Sequence, residues 1–151
     1  MSKNQLKSLI QVAVNKALKS GEKEKTTTLR MSVSEIQKEE INKKSDLSEE
    51  ETILIIQKMI KQRKESSTLF EAAGRKELAE KEESEIKILS EFLPEQMSEE
   101  EIVKIVKDAI EKEGAKSQQD IGKVMGTLKK ILRGKAEMSL VSQIVKERLS
   151  N

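Results

Sequence analysis

The chain has 151 residues, a formal net charge of +2, and neither cysteine nor histidine. That composition excludes disulfides, thiol nucleophiles, thiolate or imidazole metal sites and the commonest general base. With 35% hydrophobic and 37% charged residues, one proline, six glycines and two phenylalanines, it reads as an all-α protein with a modest core.

Along the chain, Leu6, Leu9, Ile10, Ala13, Val14, Ala17 and Leu18 form a helical stripe that closes at Gly21. The preceding Met1-Ser2-Lys3-Asn4-Gln5 leads into that amphipathic helix rather than into an apolar signal region. A second helix is predicted over 23–43, with Leu29, Val33 and Ile36 on one face and a solvated, charged far end. Ser48 with Glu51 is a capping box, each side chain satisfying the other residue's backbone N–H. It opens a third helix over about 49–73, ended by Gly74. A fourth, about 75–92, stops at Leu93-Pro94, because proline disfavours helical geometry at the residue before it.

A second capping box, Ser98 with Glu101, starts a helix carrying Ile102, Ile105, Val106, Ala109 and Ile110 and closed by Gly114. Next comes a helix with Ile121, Val124, Met125, Leu128, Ile131 and Leu132 on one face, then an Arg133-Gly134-Lys135 turn. The last helix carries Leu140, Val141, Ile144, Val145 and Leu149. The expected architecture is an N-terminal subdomain of about four helices (1–94) followed by a C-terminal three-helix bundle (95–151) that folds on its own. No apolar run approaches the roughly 20 residues that span a bilayer. The expectation is therefore a cytosolic protein with no membrane partner.

Three constellations could carry function. In the first, Gly122, Gly126, Lys129 and Arg133 fall on one stripe beside an apolar face. Each interior glycine costs about 0.5–1 kcal/mol relative to alanine. Between Ile121 and Ala136 there are five cations (Lys123, Lys129, Lys130, Arg133 and Lys135) and no acid. A bare helix flank followed by cations suits a phosphate backbone. Two other accounts stand beside it: cations in a last turn complement the macrodipole, and a glycine pair can seat a neighbouring helix.

In the second, Arg63 falls on the apolar side of the third helix, and Glu82 and Glu85 point along the stripe of the fourth. A carboxylate pair with an arginine could serve acid–base chemistry on an anion. An internal ion pair is the favoured reading, since buried charge must be paired. The third is the run Gln57, Lys58, Lys61, Gln62, Arg63, Lys64, which reads as a solvated helix face, with Lys61 and Glu65 an i, i+4 pair. No phosphate loop, dinucleotide fingerprint or metal-ligand spacing is present, and aromatic platforms for base stacking are lacking. No catalytic residue, cofactor or metal is assigned.

Several stretches resemble the YqeY-like protein family in collinear order over essentially the whole chain. They include Thr28-Leu29-Arg30, Gln62 to Ser66, Ala73-Gly74-Arg75, Glu77-Leu78-Ala79 with Lys81-Glu82, and Leu93-Pro94-Glu95-Gln96. Gly114-Ala115-Lys116, Gly122 to Gly126, Gly134-Lys135-Ala136 and Leu140-Val141 continue the series. Residues from about Glu99 to Leu149 also resemble the tail domain of the B subunit of the tRNA-dependent amidotransferase. That resemblance implies an all-α fold in two helical subdomains and contact with the outer corner of tRNA through Gly122, Lys123, Gly126, Gly134 and Lys135. The charge pattern adds Lys129, Lys130 and Arg133. The glutamine-dependent carbon–nitrogen ligase activity attached to the family implies association with an amidotransferase rather than independent catalysis. A helical adaptor, with the glycine stripe seating a partner protein's helix, is the alternative.

Overall fold

A computed structural model describes residues 4–150; the reading of the first three residues lies outside them. Seven α-helices and one short 3-10 helix account for the regular structure among these residues, with no β-strand. The contacts divide the chain into two compact units, 1–93 and 94–151.

The first unit holds α1 (Gln5–Lys19), α2 (Lys23–Lys43), α3 (Glu49–Ala72) and α4 (Lys76–Ser90). Asn4 caps α1 by accepting from the Lys7 N–H, and Ser48 and Glu51 form a full capping box at α3. Lys7 is also paired with Glu40 at 2.6 Å, tying α1 to α2. The Lys7 hydrogen bond, with the Leu47 N–H, holds the Glu40 carboxyl below its usual range. Leu6, Ile10, Leu29, Ile36, Ile56, Met59, Ile60 and Leu89 make the core with Leu47 of the α2–α3 connection. Each fully buried leucine or isoleucine contributes about 1.5–3 kcal/mol of transfer free energy. The stripe expected on α1 is broader than the face that is buried. Leu9 and Leu18 lie outside the core, 59% and 54% exposed. A stripe of seven apolar positions in thirteen residues exceeds what one helix can turn toward its neighbours.

The second unit holds α5 (Glu99–Glu113), a 3-10 helix (Gln118–Asp120), α6 (Ile121–Leu132) and α7 (Met138–Arg148). Val106, Val124, Leu128, Leu132, Val141 and Val145 are wholly buried in its core, with Ile102, Ala109, Ala136, Ile144 and Leu149 around them. Ser98 Oγ accepts from the Glu101 N–H at 3.2 Å and meets the Glu101 carboxylate itself, so only half of the expected box forms there. Ile131, expected on the buried face of α6, is 47% exposed. The packed seam runs Val124, Leu128, Leu132 at a spacing of four, and Ile131 stands one residue off it.

Candidate nucleic-acid interface and the Arg63 cleft

The geometry of α6 starts before its first turn. Ser117 and Asp120 cap the 3-10 helix reciprocally, and the Asp120 carboxylate accepts the backbone N–H groups of Lys116 (2.9 Å) and Ser117 (3.2 Å). Those two bonds, with the Lys123 charge nearby, hold Asp120 below the ordinary aspartate range. The entry into α6 is thus fixed by a carboxylate, and the helix then presents its apolar seam inward.

Gly122 and Gly126 both lie on the exposed flank. A Cβ built on either meets no atom within 4 Å. Among the described residues of the second unit nothing packs against these glycines, and each still carries its helix-propensity cost. Lys129 and Lys130 are exposed in the last turn, where they also complement the macrodipole. Lys123 is partly committed, 3.7 Å from the Glu113 carboxylate, which also accepts from the Thr127 hydroxyl at 2.8 Å.

The expected continuation of the stripe to Arg133 changes character, because α6 ends at Leu132 and Arg133 has φ −59°, ψ 125°. Its side chain is directed by the turn rather than by the helix. Gly134 follows at φ +84°, a left-handed conformation that glycine adopts without a Cβ penalty. The turn is held from both sides. Lys135 and Ala136 donate to the Leu132 carbonyl at 2.9 and 3.0 Å, Met97 donates to the Lys135 carbonyl at 2.9 Å, and Gln96 Nε2 donates to the Gly134 carbonyl at 2.8 Å. Ala136 enters the core while Arg133 and Lys135 remain exposed. Alternation along this turn sends the apolar residue inward and the cations outward.

In the first unit, Arg63 and Glu85 are both 8% exposed, and Arg63 Nε donates to Glu85 Oε1 at 3.1 Å. Arg63 Nη1 donates to the Met59 carbonyl at 3.2 Å. Glu82, one turn before Glu85 and half-buried, makes no ion pair among the described residues. Arg63, Glu82 and Glu85 all line an open cleft of about 930 Å³ between α2, α3 and α4. Thr28 and Ser66 line it as well. Sequence periodicity points Arg63 inward but does not reveal the cleft. The available signal is the run Thr26-Thr27-Thr28 inside a helix, since such hydroxyl residues are disfavoured in helix interiors. No group of His, Cys, Asp or Glu among the described residues is placed to hold a metal ion. No described helix is long and apolar enough to cross a membrane.

The family model for Yqey-like protein matches residues 7–149. An uncharacterized protein of Schizosaccharomyces pombe is 36% identical over 93 residues, which is 62% of this chain and 76% of that protein. The mitochondrial protein named altered inheritance of mitochondria protein 41, from Vanderwaltozyma polyspora, is 34% identical over 104 residues. That match covers 64% of this chain and 56% of the relative's own length.

Proposed function

The chain belongs to the YqeY-like protein family, and we propose that it acts as a tRNA-binding accessory module related to the glutamine-dependent tRNA amidotransferase, with the second unit as the RNA contact. One observation carries the reading: Gly122 and Gly126 open onto empty space on the flank of α6 that leads to exposed Lys129, Lys130, Arg133 and Lys135. A phosphate backbone can approach the bare flank, and the cations then neutralise it without reading sequence. Lys123 is the weakest member of the set, being shared with Glu113.

The test is binding of bulk tRNA to the full chain across a salt series. Four phosphate contacts correspond to a slope of about −3 to −4 in log K against log salt, and each lysine-to-alanine change at 129, 130 or 135 lowers it by about one unit. Binding that ignores salt removes the proposal. The second reading, an adaptor for another protein's helix, is favoured by Ile131, an isoleucine 47% exposed between Lys130 and the Arg133 turn. Ile131→Ser distinguishes them, because it leaves tRNA affinity unchanged and weakens only an apolar docking contact.

A further inference from the structure

The cleft of the first unit has the features of a built site. Its volume of about 930 Å³ is at the upper end of what small-molecule sites occupy. Thr28 is only 1% exposed and lines it, yet its side chain makes no hydrogen bond among the described residues. Because no buried side-chain oxygen or nitrogen among the described residues lacks a partner, the small exposed part of Thr28 must include its hydroxyl. That hydroxyl opens on the cleft. Ser66, Gln62 and Glu82 also line it without a side-chain hydrogen bond.

At the floor, Arg63 has committed three of its N–H groups, to Glu85, Met59 and the Met31 sulfur. The last of these is 3.9 Å long and ends on a weak thioether acceptor. Since a guanidinium carries five N–H groups, about two remain for a ligand.

The charge of the lining selects the ligand. Lys23, Arg63 and Lys81 face five glutamates, a net of −2. That balance disfavours phosphates and favours cations. The glutamates are not gathered as a metal-binding cluster. We propose that the α2–α3–α4 cleft binds a small organic cation in which ammonium groups sit beside a carbonyl acceptor. Glu82 and the rim glutamates take the ammonium groups, while the spare Arg63 N–H groups and the Thr28 hydroxyl take the carbonyl. The ligand differs in charge from the partner of the second unit, so the two proposals stand or fall separately.

The test uses the full chain labelled with nitrogen-15 and the dication L-lysinamide as probe. Amide shifts centred on Thr28, Met31, Gln62, Ser66 and Glu82 that saturate below on the order of 10 mM support the site. Thr28→Val removes a hydroxyl with no protein partner; it leaves the melting midpoint unchanged and weakens the probe several-fold. Glu82→Gln keeps the shape and weakens it about tenfold or more. Shifts that never saturate, wild-type affinity in either variant, or the same shifts from inorganic phosphate would each overturn the proposal.

Discussion

Alanine at Gly122 and Gly126 separates the cost of these glycines from their use. Neither position has φ in the left-handed region, and an added methyl meets nothing within 4 Å. Each change therefore recovers helix propensity without overpacking, about 0.5–1 kcal/mol per site. The two are one turn apart and share no neighbour, so the pair should gain about 1–2 kcal/mol. In a unit of this size a gain of 1 kcal/mol raises the melting midpoint by about 4–8 °C. The assay is calorimetry of the double variant beside tRNA binding by fluorescence anisotropy. The expected outcome is a higher midpoint for the second unit with weaker RNA binding, and Gly126→Leu abolishes binding while staying folded. A lower midpoint would show that the flank is packed in solution, and the argument from open space would fail. A higher midpoint with unchanged affinity would remove the glycines from the RNA contact.

Arg63→Ala leaves the 8%-exposed Glu85 carboxylate without its cation and should destabilise the first unit by about 3–5 kcal/mol in urea unfolding. Arg63→Met with Glu85→Leu should recover most of that loss; a single variant as stable as wild type would refute the buried pair. Two carboxylates should report on acid. Glu51 is lowered from 4.5 to about 2, first by its hydrogen bond to Lys43 and then by the Ser48 N–H, and Asp120 is lowered by the Lys116 and Ser117 N–H groups. Folded-state values below the ordinary ones mean that their stabilisation is complete above the ordinary carboxylate range and is lost as pH falls through the folded values. Glu51→Gln and Asp120→Asn should thus be less stable than wild type at about pH 6 and indistinguishable from it near pH 2; a gap that persists at low pH would contradict this.

The helix boundaries were legible because their signals are local. Ser48 with Glu51, the glycine after α5 and the proline after α4 act through neighbouring backbone groups, whatever the rest of the chain does. The inward position of Arg63 was legible too, because period alone places it among Ile56, Met59 and Ile60. What period does not carry is the width of the buried face. Leu9, Leu18 and Ile131 have the same chemistry as their buried neighbours and differ only in what lies opposite them. The cleft was hidden for the same reason. It is a gap left between α2, α3 and α4, and no residue's own pattern encodes an empty space. The Ser117–Asp120 turn was concealed differently: it is a capping box on a helix of three residues, too short to show any period.

The two units divide the chain's nearly balanced charge into opposite local fields. Between Ile121 and Ala136 there is no acid, whereas the cleft lining carries five glutamates against three cations. A net charge of +2 hides both. Shape reinforces the division. The cationic surface is a helix flank and a turn, where a long polyanion can lie and small ions exchange freely with solvent. The acidic one is an open cleft between three helices, where a small cation can meet several glutamates at once. Moving either ligand to the other site would set like charges together. Reversing the charge of the α6 surface with Lys129→Glu and Lys130→Glu should therefore abolish RNA binding and leave the lysinamide shifts of the cleft unchanged.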